Sequence, residues 1–197
     1  MESFKLNNSD KLYLSTEDIA KILSINNKSA RVSAARYFKK GFLIRLKRDL
    51  YITKENFSNL TENEIYMLAN ILQVPSYISL TTALGYYNIS TQQQQNFIES
   101  IGQKRTKEVS VQNLKFTFTL IKKELYEGFT LNDNIFIAMP EKALFDAVYL
   151  TSLGKYNCDF DSINFKKINV KSFESYLYKT NDKTKYLWDK LCRTYKI

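Results

Sequence analysis

Residues 27–53 constrain the fold of this chain more than any other stretch of its sequence. They read NKSARVSAARYFKKGFLIRLKRDLYIT, and their first half predicts a helix that Asn27 or Ser29 can cap with a side-chain oxygen. Gly41 suits the left-handed backbone position that often follows a helix end. One apolar face of the helix is predicted by residues at helical spacing, which are Ala30, Ala34, Tyr37 and Phe38.

The second half of the same stretch predicts a β-hairpin. Residues 43–46 and 50–52 are two short runs of β-prone side chains. Between them lies a polar break of hairpin length, formed by Lys47, Arg48 and Asp49. The helix and the hairpin are therefore expected to follow each other directly, with basic side chains on both.

The residues before position 27 predict another helix. Ser15 and Asp18 have the spacing of a capping box, and residues 19–23 continue an amphipathic pattern. Residues 24–27 form a short polar turn into the next helix. Two helices joined by such a turn and followed by a hairpin are typical of a winged helix-turn-helix, in which the second helix enters the major groove of DNA.

The polar side chains of this helix and hairpin are candidates for DNA contact. Near the helix N-terminus, Arg31 or Lys28 can hydrogen-bond a guanine edge, and Val32 can contact a thymine methyl group. The later basic residues are better placed for phosphates or the minor groove. The alternative is a solvated basic face. The predicted DNA-binding residues are Lys28, Ser29, Arg31, Val32, Arg36, Lys39, Lys40, Arg45, Lys47 and Arg48.

The distribution of charge favours DNA binding over a solvated face. The 197-residue chain has a net charge of +9. Residues 1–54 carry 12 basic and 5 acidic side chains, a net charge of +7, whereas residues 55–197 carry 17 and 15, a net charge of +2. Most of the positive excess thus lies in the first quarter of the chain, as expected for a part that meets a polyanion.

A polar stretch at residues 54–61 predicts a linker between two domains, 1–54 and 61–197. In the second domain, Pro140 opens a helix at the position that proline prefers. Glu141 in the first turn of that helix suits its positive end. The predicted fold class is α+β, with an N-terminal winged helix-turn-helix followed by a C-terminal mixed α/β domain that has a small antiparallel sheet and flanking helices.

The other elements of the second domain are predicted from periodicity and turn residues. Ser79 can cap a short buried helix, and Trp188 with Leu191 is expected to anchor the last helix. Further helices are predicted at residues 62–72, 79–87, 171–178 and 183–195. Strands are predicted at residues 97–101, 109–111, 114–121, 129–131 and 135–138. The buried face of the third strand is expected to hold Phe116, Phe118 and Leu120.

Two groups of side chains in the second domain have more than one interpretation. A second basic patch is either a further phosphate contact or a solvated hairpin edge, and it consists of Lys104, Arg105 and Lys107. Three tyrosines can stack on bases, but aromatic residues beside apolar ones more often build the core. These are Tyr77, Tyr86 and Tyr87.

The segment that starts the Pro140 helix invites comparison with metal-dependent nucleases. Asp133 lies upstream of Glu141 and Lys142, as an aspartate does in such enzymes. Their pattern, however, is Glu-x-Lys on a strand, whereas Glu141 and Lys142 are adjacent at a helix start. Helix capping and a solvated face account for these residues and for Asp146 without catalysis.

Composition adds further expectations. The chain contains no histidine, which removes the commonest general base and metal ligand. Cys158 and Cys192 lack the spacing of a ligand pair, so they are expected to be buried or incidental thiols. We therefore expect no enzymatic activity, metal or cofactor. No run approaches the ~20 apolar residues of a membrane span, and the start MESFKLNNSDK lacks a signal-peptide segment, so the prediction is a cytoplasmic protein without membrane contact.

Three segments in order resemble the AbiEi antitoxin family. They are RLKRDLYI at residues 45–52, VPSYISLTTALGYYNI at 74–89 and IAMPEKALFDAVYL at 137–150. The resemblance extends from about residue 12 to residue 153. Asp49 stands where glycine is common in the family, but aspartate tolerates a left-handed backbone, so the hairpin is expected to form. Asn88 also stands where glycine is common.

The resemblance implies a DNA-binding autorepressor and antitoxin of a type IV toxin–antitoxin, or abortive infection, system. The winged helix would bind inverted repeats in operator DNA. The second domain would counteract a nucleotidyltransferase toxin without forming a stable complex with it, and could assist DNA binding through its basic patch. The alternative is a winged-helix transcriptional regulator whose second domain senses a small ligand; a nuclease with a targeting winged helix is disfavoured by the missing metal-ligand residues.

Overall fold

The computed structural model describes residues 2–92 and 94–197. Within them the chain is a mixed α/β protein with nine α-helices and two sheets. Its internal contacts divide it into two compact units between Ile65 and Tyr66. Residues 54–61 are not an extended linker, because Lys54–Ser58 forms a helix that Thr53 caps by accepting a hydrogen bond from Asn56 N. The division instead falls inside the next helix, Glu62–Leu72.

The first unit combines four helices with a three-stranded antiparallel sheet of order β1-β3-β2. Its core is formed mainly by the inner faces of α2 and α3 and by the sheet, and includes Ile19, Ala30 and Tyr51. In chain order its elements are α1 (Glu2–Asn7), β1 (Leu14–Ser15), α2 (Thr16–Leu23), α3 (Asn27–Lys39), β2 (Leu43–Lys47), β3 (Leu50–Thr53) and α4 (Lys54–Ser58).

The start of α2 confirms the predicted capping box. The Ser15 hydroxyl accepts from Asp18 N at 3.1 Å, and the Asp18 carboxylate accepts from Ser15 N at 2.9 Å. Partial burial alone would raise the pKa of Asp18, but hydrogen bonds from Lys11 and Ser15 outweigh it and lower the pKa to about 2. The ionised carboxylate therefore contributes to stability at neutral pH and loses that contribution only as the pH falls below about 4.

The start and the apolar face of α3 each differ from the prediction by one residue. The cap is Asn26, not Asn27 or Ser29: its backbone is extended and its side chain accepts from Ser29 N at 2.8 Å. Ala30, Ala34 and Tyr37 are buried as predicted, whereas Phe38 is 47% exposed. Phe38 follows Tyr37 by one residue, a rotation of ~100° around the helix, and so leaves the inner face.

The predicted hairpin is present as β2 and β3. Lys47 pairs with Leu50, so the turn contains two residues, Arg48 and Asp49, and a register shift lies between Arg45 and Lys47. Asp49 has a φ of 58°, which is the left-handed conformation expected for it. The hairpin is therefore short, and its basic side chains lie close to the turn.

The second unit contains five helices and a six-stranded sheet, with α5 spanning the division between the units. Three short 3-10 helices complete it, at Lys123–Leu125, Phe160–Ser162 and Phe165–Lys167. Its elements are α5 (Glu62–Leu72), β4 (Ser76–Ile78), α6 (Leu80–Tyr86), β5 (Phe97–Gly102), β6 (Lys107–Val111), β7 (Leu114–Leu120), β8 (Phe129–Asn132), β9 (Ile135–Ala138), α7 (Pro140–Ser152), α8 (Val170–Leu177) and α9 (Asp182–Tyr195).

The larger sheet is mixed, so the predicted small antiparallel sheet is wrong. Its strand order is β6-β7-β5-β4-β9-β8, with parallel pairing of β5 to β7 and of β4 to β9. After β5 the chain forms the outer strand β6, and it then returns as β7, which lies between β5 and β6. The apolar pattern predicted both hairpins of this sheet, β6–β7 and β8–β9, but it does not specify which strands become neighbours.

Helix α7 has more buried residues than any other helix of the second unit, and the tail packs onto it. Trp188 of α9 is 1% exposed and stacks on Phe173 of α8 with ring centroids 3.8 Å apart. This confirms that Trp188 and Leu191 anchor the last helix. Phe116 and Phe118 of β7 are fully buried, whereas Leu120 at the end of that strand is 43% exposed. Among the described residues, none of the helices combines the length and apolar character that crossing a bilayer requires.

Candidate functional site

The basic surface of the first unit is formed by α3 and the β2–β3 hairpin. Lys28, Arg31, Val32 and Lys39 follow one another at spacings of three, one and seven residues and share the outer side of α3. Val32 is 68% exposed and is therefore accessible for contact. All ten residues predicted to bind DNA are exposed. We call these ten residues the basic surface.

Asp49 connects the hairpin turn to helices α2 and α3. Its backbone oxygen accepts from Thr16 N at 3.2 Å, and its carboxylate accepts from the Thr16 hydroxyl at 3.3 Å. The same carboxylate lies 3.9 Å from Arg31 Nε and 3.5 Å from Arg48 Nε. Exposed ion pairs of this kind contribute only about 0–1 kcal/mol, so both guanidinium groups can exchange Asp49 for a stronger anion at little cost.

The second basic patch lies in the β5–β6 loop and the start of β6. Lys104 and Arg105 are exposed. Lys107 is half-buried, its Nζ donates to the Leu72 carbonyl at 3.1 Å, and the ammonium group lies 5.1 Å from the centroid of the Phe118 ring. The patch therefore presents two of its three cations to solvent, while the third also makes contacts inside the unit.

Lys142 and Asp146 do not form the solvated face expected from the sequence. Both side chains are 0% exposed and they form an ion pair one turn apart on α7. The other carboxylate oxygen, Asp146 Oδ2, accepts from Tyr77 OH at 3.0 Å and from Ser79 Oγ at 2.8 Å. We call these four residues the buried ion-pair centre.

Burial dominates the electrostatics of this centre. It lowers the pKa of Lys142 and raises the pKa of Asp146, and the contact between the two charges opposes both shifts. Burial and the neighbouring Asp146 also raise the pKa of Tyr77, so its phenol stays protonated as a donor. The Lys142 ammonium lies 4.8 Å from the Phe145 ring centroid. Tyr77 is thus a core residue, as favoured from the sequence; Tyr86 and Tyr87 are half-buried.

A second buried carboxylate belongs to Glu99 on β5, which is 3% exposed. Glu99 Oε2 accepts from Thr81 N and from Tyr156 OH, each at 3.1 Å. The Tyr156 and Thr81 hydroxyls are 2.7 Å apart. Because a phenol has one hydrogen, Thr81 donates to Tyr156 when Tyr156 donates to Glu99. Burial raises the pKa of Glu99 to about 7, although these hydrogen bonds oppose the increase.

The turn into α6 connects the two buried carboxylates. Ser79 occupies the N-cap position but does not form the predicted side-chain cap; its hydroxyl donates to Asp146 instead. Two residues later, Thr81 N donates to Glu99. Leu80 between them has a φ of 57°, a costly conformation for a branched side chain. The backbone is therefore strained at the residue that lies between the contacts with the two acids.

A cavity of about 510 Å³ adjoins Glu99. Leu80, Glu99 and Tyr156 line it, together with side chains of β6, β7 and the segment after α7. Many of the other lining side chains carry hydroxyl or amide groups, including Gln94, Thr117 and Asn157. This cavity, which we call the Glu99 cavity, is large enough for a small molecule.

Glu99 and Tyr156 were not predicted as site residues, and Lys142 and Asp146 are buried, not on the predicted solvated face. A signal existed for three of them. Glu99 lies within the apolar run FIESI, and Lys142 and Asp146 lie four residues apart among the apolar residues of α7. A charged residue at a position whose neighbours are buried indicates a paired or functional group.

The described residues contain no group of three or more histidine, cysteine, aspartate or glutamate side chains that could hold a metal ion. Cys158 is a buried free thiol, and burial raises its pKa to about 12; Cys192 is a half-buried free thiol. The thiol of Cys158 is therefore protonated and unreactive at neutral pH.

Comparison with known proteins shows similarity in structure but not in sequence. No family model and no curated protein matches this sequence. The fold is similar to the crystal structure of the RV2827C protein from Mycobacterium tuberculosis, with a TM-score of 0.60. That similarity covers 96% of this chain and 75% of the other, at 10% sequence identity. At this identity the similarity concerns the fold alone.

Proposed function

We propose that the first unit is a winged helix-turn-helix that binds double-stranded operator DNA through the basic surface. The observation that carries the proposal is the exposure of all ten residues on α3 and the adjoining hairpin. In this assignment α3 is the recognition helix, with Arg31 and Val32 at base edges. The hairpin is the wing, and its cations contact phosphates.

We further propose that the whole protein is an autorepressor and antitoxin of the AbiEi type, and not an enzyme. Support comes from the three sequence segments at residues 45–52, 74–89 and 137–150. Two of them contribute to the buried polar groups of the second unit: Ser79 and Thr81 belong to one, and Lys142 with Asp146 belongs to the other. The second unit would counteract a nucleotidyltransferase toxin.

Arg31→Ala tests the base-reading role of α3. We expect the variant to bind the DNA upstream of its own gene about 5- to 100-fold more weakly, the range expected for loss of a base-edge contact. Binding to scrambled DNA should weaken less, so the preference for the operator should fall. Gel-shift titration measures both affinities, and Lys190→Ala, which removes an exposed cation from α9, is the control. Equal operator affinity in the two variants would remove Arg31 from the interface.

Arg48→Ala tests the wing in a different way. A phosphate contact releases counterions, so its loss should reduce the slope of log affinity against log salt by about 0.9. We expect this change on operator and scrambled DNA alike, because phosphates carry no sequence information. Fluorescence anisotropy over a series of salt concentrations gives the slope. A slope identical to that of Lys190→Ala would place Arg48 away from the DNA backbone.

A second candidate function is a DNA-binding regulator whose second unit senses a small ligand. The observation that favours it is the Glu99 cavity. The two candidates differ in gene context, since an antitoxin should have a neighbouring gene for a nucleotidyltransferase. They also differ in the response of operator affinity to a ligand bound in the second unit.

A further inference from the structure

We propose that the Glu99 cavity binds a small organic cation, a guanidinium or primary ammonium compound, whose N–H groups pair with the Glu99 carboxylate. This inference concerns the second unit alone and extends the second candidate function by naming the class of ligand. It does not depend on DNA binding by the first unit. Direct titration of the ligand therefore tests it separately from the experiments on Arg31 and Arg48.

The cavity has the size and the ordered polar groups of a binding site. Its volume of about 510 Å³ lies within the usual range for small-molecule sites. Thr81 N and Tyr156 OH, from different parts of the chain, donate to the Glu99 carboxylate, and the Gln94 side chain adds a further hydrogen bond. The strained Leu80 also lines it. Strain at a residue that lines a cavity is more often found at functional sites than elsewhere.

A cation is the ligand that this carboxylate favours. The two hydrogen bonds to Glu99 Oε2 come from neutral groups, a backbone amide and a phenol. Two lysines, Lys107 and Lys155, also line the cavity. The Lys107 ammonium donates to the Leu72 carbonyl and lies over the Phe118 ring, whereas Lys155 is exposed to solvent and none of the described hydrogen bonds or ion pairs joins it to Glu99. A ligand cation would therefore supply the opposite charge that a buried carboxylate needs, and charge-assisted hydrogen bonds are the stronger kind.

The remaining walls indicate a compact and polar ligand. Thr106, Thr117, Gln92 and Asn157 contribute hydroxyl and amide groups. Phe97 adds an apolar surface against which a planar group or an alkyl chain can pack. A small cation with further hydrogen-bonding groups matches this lining, whereas a large apolar compound would leave the amides unpaired.

Isothermal titration of the full-length protein with agmatine, L-arginine and spermidine tests the proposal. Citrulline is the matched control ligand, because it replaces the guanidinium of arginine with a neutral urea of nearly the same shape. We expect at least one cationic probe to bind, and citrulline to bind at least about tenfold more weakly than arginine if arginine is that probe. This comparison uses the unmodified protein.

Glu99→Gln then tests the carboxylate itself, because it keeps the shape of the side chain and removes its charge. We expect affinity for the cationic probe to fall at least about tenfold. Glu174→Gln is the control variant: it removes an exposed carboxylate of α8 that does not line the cavity, and it should bind the probe as before. Absence of binding by all three cations at millimolar concentration, or equal affinity of Glu99→Gln and the unmodified protein, would overturn the proposal.

Discussion

Lys142→Ala is expected to lower the free energy of unfolding by about 3–5 kcal/mol, the usual cost of removing one partner of a buried ion pair. The substitution leaves the Asp146 carboxylate at 0% exposure with only Tyr77 and Ser79 as donors. It also leaves an empty space beside the aromatic rings that surround the lysine side chain, one of which is Phe145. Urea unfolding at neutral pH measures the difference.

A double variant separates charge from packing. Lys142→Met with Asp146→Asn removes both charges, fills the space of the lysine stem and keeps a side-chain oxygen that can accept from Tyr77 and Ser79. We expect it to be more stable than Lys142→Ala. The deficit of Lys142→Ala should also shrink in mildly acidic buffer, because burial raises the pKa of Asp146 and protonation removes the uncompensated charge. A deficit independent of pH would assign the whole effect to packing.

Local signals in the sequence predicted much of the backbone. The capping box at Ser15 and Asp18 formed as expected, since both of its hydrogen bonds lie within four residues. Asp49 adopts the left-handed conformation expected for it, with a φ of 58°. Pro140 begins α7. In each case the energy that selects the conformation acts over one turn, so neighbouring residues suffice to predict it.

Long-range pairing was not predictable in this way. Strand β4 has only three residues, and nothing in its own pattern places it between β5 and β9 at the centre of the sheet. The same limit applies to the candidate sites. The exposed residues of α3 follow from helical periodicity, but the contacts of Glu99 with Thr81 and Tyr156 join residues 18 and 57 positions apart. Such contacts form only when distant segments pack together, so local sequence patterns do not predict them.

Glu99 should also make the stability of the protein depend on pH between about 4.5 and 8. Its pKa rises from 4.5 to about 7 on folding, so the folded state binds the proton more tightly than the unfolded chain does. Its favourable contribution is therefore complete below pH 4.5 and is lost as the pH rises through about 7. The pKa difference corresponds to a loss of about 3 kcal/mol in the free energy of unfolding.

The comparison of Glu99→Gln with the unmodified protein isolates this effect. The chain contains no histidine that would titrate in the same range. Tyr156 and Cys158, which interact electrostatically with Glu99, have pKa values raised far above it, and the Lys142–Asp146 pair is common to both proteins. Glu174→Gln, the exposed control variant on α8, should keep the pH dependence of the unmodified protein. If urea midpoints show the same loss of stability from pH 4.5 to pH 8 in Glu99→Gln as in Glu174→Gln, the Glu99 carboxylate is solvated in the folded protein. The cavity would then lack the desolvated carboxylate on which the proposed cation site depends.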